Sequence, residues 1–503
     1  MIKIKVSEDG RVQHLVFDPG KTLSRNLFSH GFFTSTPLCS GLGLCGACRV
    51  RVLSSTPDAC PRDQDVFSPG DLTQGWRLGC AHFPAQGMNL KLPLEKSTRR
   101  FAWASTSDPV ALGVDIGTTT LKWGFAHPDH KTSLGMVLNP QMGAGSEIMS
   151  RLAYSAECRD NFKRLQSLLT REIQKITALC DQELPAVVAG NTAMIHFLMG
   201  LDISGLLGHP YHVAFAGGSD VRLPGSGREV FVPPLLSPFV GADISSGLSW
   251  LVQEKRASFP FLFCDLGTNG EMVLGLGPDR FFCTSVALGP ALEGVGLRFG
   301  SPFGPGVAGR FEFTPRGIRP DNQEWNGLVS GSGYLSLLAL LLKLDILDYS
   351  GRFIDPGSRL SGTVDLLHGR VHIQDKFYLS GRDVEEVLKV KAAFTLGVQY
   401  LLQKTSMTPE RLARIYLGGA LGEHAGLEDL DELGFLPKGA MHKCRVLGNS
   451  SLRGALVLAV DSASRKWVLN LPGMMQSLDL AGDREYVNAN FHRHMHFEYP
   501  AST

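Results

Sequence analysis

The sequence predicts two modules of different class: a small α+β module, then a large α/β domain built as two similar lobes. Three observations carry this reading. Three cysteines crowd into "PLCSGLGLCGACRV" at 37–50, where short strands flank one helix. A strand–Asp–x–Gly–Thr turn occurs twice, at "ALGVDIGTTTLKWGFA" (111–126) and "FLFCDLGTNGEMVLGL" (261–276). The chain has 503 residues, enough for about three domains of ~150 residues.

Composition narrows the function. Lys+Arg number 49 against 48 Asp+Glu, a net charge of +1. This balance offers no electrostatic footprint for nucleic acid or an anionic membrane, so neither partner is expected. The start, "MIKIKVSEDG", alternates like a strand and has no apolar signal core. The greasiest run, "YLSLLALLLKLDIL" (334–347), is too short to span a bilayer and carries Lys343 and Asp345. It reads as a buried helix, and the expected location is cytoplasmic. In a reducing cytosol the ten cysteines are not expected to form disulfides. The clustered ones suggest metal, and scattered ones such as Cys158, Cys180, Cys264, Cys283 and Cys444 read as small buried hydrophobes.

The first module, expected over 1–94, starts with strand-like "IKIKV" and "VQHLVF", then helix-like "KTLSRNLFSHG". Cys39, Cys45 and Cys48 follow with the spacing C-x5-C-x2-C, and a distant fourth candidate, Cys80, lies in "GWRLGCAHF". Plant-type 2Fe–2S ferredoxins use C-x4-C-x2-C and a distant fourth cysteine. Gly41, Gly43 and Gly46 permit positive φ and let backbone N–H groups approach the sulfurs. The element order fits a β-grasp 2Fe–2S ferredoxin. A structural zinc site is the alternative, but zinc favours paired C-x2-C knuckles and only one occurs. Cys60, in "TPDACPRDQD", rivals Cys80 as fourth ligand.

Residues 95–110, polar and Ser/Thr-rich, read as a flexible linker. Within them "RRFAW" (99–103) reads as solvated. The large domain then runs from 111 to 503, with lobe 1 at about 111–258 and lobe 2 at about 259–503.

The repeated turn has a chemical use. Each strand ends in an aspartate, Asp115 or Asp265, delivered to the mouth of a cleft. The hairpins that follow turn backbone N–H groups and hydroxyls toward phosphate oxygens. Gly117, Thr118, Thr119 and Thr120 form the first; Gly267, Thr268 and Asn269 form the second. Carboxylates there can hold Mg²⁺ and orient a nucleophile. Two copies 150 positions apart imply two similar lobes. Neither G-x-x-x-x-G-K-[ST] nor a strand-to-helix G-x-G-x-x-G occurs. A third element, "IYLGGALGEHAG" (415–426), places Gly418 and Gly419 between a strand and an expected helix, where a nucleoside can lie against bare backbone.

Together these motifs resemble the phosphate-1, phosphate-2 and adenosine motifs of the acetate and sugar kinase/heat-shock cognate/actin superfamily. Joined to a 2Fe–2S module, the chain resembles the reductive activators of corrinoid proteins. Blocks such as "NPQMGAGSEIMSRL" (139–152), "AGNTAMIHFLMGLD" (189–202), "PPLLSPFVGADISSGL" (233–248), "LGPALEGVGLRFG" (288–300) and "GNSSLRGALVLA" (448–459) extend the likeness along nearly the whole chain. Larger members carry a further domain before phosphate-1, for which this sequence leaves no room.

The resemblance implies a fold: a β-grasp ferredoxin followed by a two-lobed, actin-like (ribonuclease H-like) ATPase. It implies cofactors: a 2Fe–2S cluster on Cys39, Cys45, Cys48 and Cys80, with ATP and Mg²⁺. It implies roles for Asp115 and Asp265, with Glu147 and Glu293 as further candidates to orient water or metal. Asn191 and Asp243 would line the cleft. The implied reaction passes one electron from the cluster to cobalt(II), giving cobalt(I), with ATP hydrolysis. The implied partner is the corrinoid protein of a methyltransferase system, with an electron donor the sequence does not name and a homodimer as one expected assembly. Two rival functions keep the same lobes: a small-molecule kinase with a regulatory cluster, and a redox-switched ATPase chaperone. A tail with His492, His494 and His496 reads as a polar terminus, with metal binding as the alternative.

Overall fold

The computed structural model describes residues 1–500 except 40, 42, 44, 96–98, 181, 375–376 and 420–423. The first module is a mixed five-stranded sheet in the order β2-β1-β5-β3-β4, built from β1 (Ile2–Glu8), β2 (Arg11–Phe17), β3 (Arg49–Ser54), β4 (Trp76–Leu78) and β5 (Asn89–Lys91). β1 and β2 form the hairpin that the alternating start predicts, and β5 returns parallel to β1. Helix Leu23–Ser29 is capped by Thr22, whose side chain accepts from the Arg25 N–H, and buries Leu23, Leu27 and Phe28. This is the grasp of a sheet around one helix.

The stretch read as a flexible linker is docked where it is described. β6 (Arg100–Phe101) pairs with β9 (Thr132–Leu138) at the edge of the next sheet. The Arg99 guanidinium lies 4.9 Å from the Trp123 ring centre and ion-pairs with Glu172. Trp103 packs edge-on to Phe101 and against Phe125. The reading failed because the docking groups are spaced irregularly: three side chains find an aromatic pile that local periodicity does not reveal.

The two lobes repeat one topology. In lobe 1, β7 (Ala111–Ile116), β8 (Thr120–Ala126) and β9 form an antiparallel meander. β10 (Ala186–Gly190) lies parallel to β7, followed by β11 (Ser219–Arg222) and β12 (Glu229–Val232), giving β11-β12-β10-β7-β8-β9-β6. In lobe 2, β13 (Phe261–Leu266), β14 (Asn269–Gly277) and β15 (Arg280–Ala287) form the matching meander. Two small sheets follow, β16 (Phe311–Thr314) with β17 (Gly317–Pro320), then β18 (Val364–Asp365), β19 (Arg370–Gln374) and β20 (Phe377–Ser380). β21 (Arg414–Gly418) is parallel to β13, β22 (Cys444–Gly448) is parallel to β21, and β23 (Met475–Ser477) closes the far edge. The repeated turn therefore marks a repeated sheet, as the sequence implied.

Helices Ala242–Ser249 and Ser450–Val460 cross between the sheets. A Cβ on Gly454 would lie 1.9 Å from the Ser246 carbonyl oxygen, so only a glycine allows the helices to meet there. The greasy run is helix Gly331–Lys343, with Leu335, Leu337, Leu338 and Leu341 fully buried. The histidine tail is not a solvated terminus. His494 is buried, with Nδ1 2.8 Å from Thr395 Oγ1, and its carbonyl accepts from buried Lys391.

The first module rests on lobe 1. Phe28 enters the lobe 1 core and packs edge-on to Tyr154 at 5.6 Å. Arg25 pairs with Glu157, its Nη1 lying 2.5 and 2.7 Å from the two carboxylate oxygens. Arg164 donates to the Ser29 carbonyl at 2.7 Å, and the Ser146 N–H donates to the Leu38 carbonyl at 3.2 Å. Lobe 2 adds a contact from Arg298 to the Asp65 carbonyl at 3.0 Å. A fully buried Phe contributes about 1.5–3 kcal/mol, so this seat is more than a passing contact.

Candidate functional site

The four cysteines line one cavity of about 470 Å³, walled by Leu38, Gly41, Phe83 and, from lobe 1, Gly143, Ala144 and Glu157. The thiols fall into two hydrogen-bonded pairs, Cys39 with Cys45 and Cys48 with Cys80. Backbone donors reach the sulfur of Cys45: the Ala47 N–H at 3.5 Å, and the N–H of Cys39. Gly41, Gly43 and Gly46 all have positive φ, as the crowded loop requires. Bonding to Cys48 pulls the Cys80 thiol below its ordinary pKa, with a smaller contribution from the Arg62 charge.

Four convergent thiols with backbone N–H groups aimed at sulfur fit a 2Fe–2S cluster. These four thiols would hold such a cluster. Cys60 does not line this cavity. It caps helix Pro61–Val66, and its sulfur lies within 4.8 Å of ligand atoms of Asp63 and His82. The Asp63 carboxylate is already taken up by the N–H groups of Cys60 and Leu78 and by the His82 ring.

The second cavity, about 180 Å³, lies between the lobes. Its floor is the repeated turn. Asp115 near the end of β7 accepts from Asn449 Nδ2 and Ser451 Oγ, each at 2.9 Å, both at the start of helix Ser450–Val460 of lobe 2. Asp265 is its counterpart on β13. The Gly117 N–H bonds the Thr120 carbonyl and the Gly267 N–H bonds the Asn269 carbonyl, closing the two tight hairpins. The loops touch across the cleft, with Thr119 Oγ1 3.1 Å from Thr268 Oγ1. Glu293 accepts from both hydroxyls, from Thr268 at 2.8 Å. Asn191 caps helix Thr192–Met199 with its carbonyl oxygen and donates its amide to Thr118 Oγ1 at 3.0 Å.

Gly419 has φ +76°, and a Cβ there would lie 2.5 Å from Asp265 Oδ1. Only glycine permits that approach. Gly418 is not among the cavity lining, though it precedes Gly419 at the end of β21. The helix expected next lies partly outside the described residues. Stacked Phe303 and His424, with ring centres 4.2 Å apart, also line the cavity, as do Pro302 and Met136.

The cleft is strongly acidic. Burial, then repulsion by Asp265 and Asp115, pushes Asp243 up to about 8. Burial and Asp115 push Asp265 up to about 7. Burial also raises Asp115, Glu271 and Glu293. Lys122, paired in register with Asp115, supplies the opposing charge. Crowded carboxylates that resist ionisation form an all-oxygen donor set suited to a hard divalent cation such as Mg²⁺.

Glu147 does not join them. It precedes helix Ile148–Glu157 without a side-chain cap bond, and burial and Glu386 raise its pKa. A glutamate inside a matching block has no periodic signal for where it points. Lys122, Glu271, Asn449 and Ser451 were not singled out as site residues. Strand alternation gives a signal for Lys122, which shares its strand face with Thr120. Nothing local marks Asn449 or Ser451, since they reach Asp115 from over 300 residues away.

A ferredoxin-like module with a four-cysteine cavity, joined to a two-lobed domain with paired Asp-x-Gly-Thr turns, defines an iron–sulfur protein fused to an actin-type nucleotide-binding domain. Comparisons agree. A profile for the 2Fe–2S iron–sulfur cluster binding domain matches residues 6–85. The RACo middle region matches 110–253, and the C-terminal domain of RACo, the ASKHA domain, matches 260–501. The chain belongs to this family of reductive activators of corrinoid proteins.

Among curated relatives, "Corrinoid activation enzyme RamQ" of Eubacterium limosum is 25% identical over 416 residues, 75% of this chain and 68% of that protein. "[Co(II) methylated amine-specific corrinoid protein] reductase" of Methanosarcina barkeri is 23% identical over 415 residues, 70% of each. A solved structure titled "Reductive activator for corrinoid,iron-sulfur protein" shares the fold with TM-score 0.69 at 20% identity, covering 99% of both chains. Among the described residues no helix is long and apolar enough to cross a membrane.

Proposed function

We propose that this chain reductively activates a corrinoid protein of a methyltransferase system, returning cobalt(II) to cobalt(I) with ATP hydrolysis. The observation that carries the reading is the coexistence, in one chain, of the four-thiol cavity and the acidic nucleotide cleft, with the first seated against the lobe that holds half of the second. The relatives' printed activities point the same way.

Cys39, Cys45, Cys48 and Cys80 hold the cluster, and Cys60 stays outside it. When bound, the 2Fe–2S cluster stores one electron from a donor and gives one to the cobalt. Backbone N–H groups of Cys39 and Ala47 stabilise charge on the Cys45 sulfur. Gly117, Thr118, Thr119 and Thr120 cradle phosphate oxygens from lobe 1, and Gly267, Thr268 and Asn269 do so from lobe 2. Asp115, Asp265 and Glu293 would hold Mg²⁺, which would neutralise phosphate charge. Their carboxylates orient the water that attacks the γ-phosphorus as the bond to the ADP oxygen breaks, leaving ADP and phosphate. Gly419, with Gly418 behind it, gives the nucleoside a flat wall.

ATP has a thermodynamic task. Each ~59 mV of deficit in a one-electron step costs about 1.4 kcal/mol, and plant-type clusters lie near −400 mV. The cleft of about 180 Å³ is smaller than typical ligand pockets of ~300–1,000 Å³. A nucleotide must therefore part the Thr119–Thr268–Glu293 contacts and take their place. That coupling of binding to lobe position lets ATP favour one state of the complex and hydrolysis another.

The test is cobalt(I) formation, read by absorbance, from a cobalt(II) corrinoid protein and reduced holo-protein with and without MgATP. ATP-dependent cobalt(I) and corrinoid-stimulated ATP hydrolysis are expected. Equal yields with and without ATP remove ATP from the mechanism. Phosphoryl transfer to a small molecule in place of hydrolysis makes the protein a kinase.

A further inference from the structure

Arg151 is fully buried in helix Ile148–Glu157, and among the described residues no carboxylate lies within ion-pair distance of it. Burial pulls its pKa down to about 9. Holding an arginine this deep and out of ion-pair reach of a carboxylate is costly. The Glu293 charge offsets part of that from farther away, so its direct contacts matter. Nη2 donates to the Thr118 carbonyl at 2.6 Å, and Nε donates to the Gly145 carbonyl at 2.8 Å.

Each of these carbonyls belongs to a peptide group with a donor at its other end. The Thr118–Thr119 peptide ends in the Thr119 N–H, part of the first phosphate cradle. The Gly145–Ser146 peptide ends in the Ser146 N–H, which donates to the Leu38 carbonyl at 3.2 Å. The Leu38–Cys39 peptide ends in the Cys39 N–H, which donates to the Cys45 sulfur. One guanidinium and three peptide groups thus form an unbroken hydrogen-bonded line from the phosphate loop to a cluster ligand.

We propose that Arg151 couples the two sites through this line, so that nucleotide bound at the Thr118–Thr119 loop lowers the reduction potential of the cluster. The proposal rests on the phosphate-cradle reading above. Its sign follows from polarisation, because hydrogen bonds in a chain strengthen or weaken their neighbours. A phosphate accepting from the Thr119 N–H makes the Thr118 carbonyl a stronger acceptor. The guanidinium is drawn toward it and donates less to Gly145. The Ser146 N–H then polarises Leu38 less, and the Cys39 N–H stabilises charge on the Cys45 sulfur less. Reduction adds negative charge there, so the reduced form is disfavoured. Arg151 is a positioning residue in this scheme. Lysine cannot replace it, because an ammonium lacks the rigid fork that holds two carbonyls at once.

The experiment uses full-length holo-protein and a non-hydrolysable ATP analogue with Mg²⁺. Calorimetry measures analogue affinity for the oxidised and the dithionite-reduced protein. The expected result is about fivefold weaker binding to the reduced form, at the lower end of usual couplings. By reciprocity that lowers the potential by about 41 mV, at 59 mV per tenfold, read independently by a redox titration followed by electron paramagnetic resonance. R151K and R151M should bind the analogue with a redox difference below twofold. Amide exchange in the wild type needs no variant: rates at Ser146 and Cys39 should change at least threefold on analogue binding. Failure of the analogue to bind overturns the nucleotide-site reading itself. Equal binding in both redox states, a wild-type difference that survives in both variants, or unchanged exchange at Ser146 and Cys39 overturns the coupling alone.

Discussion

Replacing Asp243 by asparagine tests the electrostatics of the cleft. Asp243 lines the cavity, and burial with two neighbouring aspartates raises its pKa from 3.8 to about 8. Between those values the unfolded chain has lost this proton while the folded chain keeps it. Stability therefore falls as pH rises from about 4 to about 8. At one unit per ~1.36 kcal/mol the ceiling at pH 7 is about 4 kcal/mol. Neighbouring carboxylates share protons and take up part of that, which leaves about 2 kcal/mol for D243N to recover. Urea unfolding of nucleotide-free wild type and D243N at pH 4.5 and pH 7.5 measures it. D243N should be more stable by about 2 kcal/mol at pH 7.5, with the gap closing at pH 4.5. Mg²⁺ with nucleotide should stabilise the wild type more than the variant, because a ligand stabilises only the state it binds. A variant less stable than wild type by the same amount at both pH values refutes the argument.

Serine at Cys39, Cys45, Cys48 or Cys80 should abolish the cluster's visible absorbance and its paramagnetic signal in the reduced protein. C60S should leave both in place, and loss of the cluster in C60S with retention in C80S would reverse the assignment of the fourth ligand. E293Q should lower ATP turnover at least tenfold, since Glu293 joins Thr119 to Thr268 across the cleft. E147Q, outside that cleft, should change turnover by less than twofold, and the opposite order would place the working carboxylate at Glu147.

Much of the fold is legible where local chemistry is repetitive. The Asp-x-Gly-Thr turns predict two equivalent hairpins, and β7–β8 and β13–β14 are those hairpins. The cysteine loop predicts positive φ at Gly41, Gly43 and Gly46, and all three have it. What local reading misses is assembled at a distance. Arg99, Phe101 and Trp103 look like linker, because their partners Glu172, Trp123 and Phe125 lie on other elements. Glu147 looks like a site residue because it sits in a matching block, yet the helix it precedes carries Arg151, not Glu147, to the phosphate loop.

The amino-acid sequence by itself determined the two chemistries: four thiols at cluster spacing and a doubled acidic phosphate turn. Cys39, Cys45 and Cys48, and the residues within each turn, lie a few positions apart, where chain geometry alone constrains their relation; Cys80 and the second turn are recognised by their motif context instead. The tertiary structure decided how the chemistries are joined: the seat of the first module on Tyr154 and Glu157, the Asn449 and Ser451 bonds to Asp115, and the buried arginine between the two sites. Those contacts pair residues up to 336 positions apart. Their geometry comes from sheet stacking and helix packing over the whole chain, which no local pattern encodes.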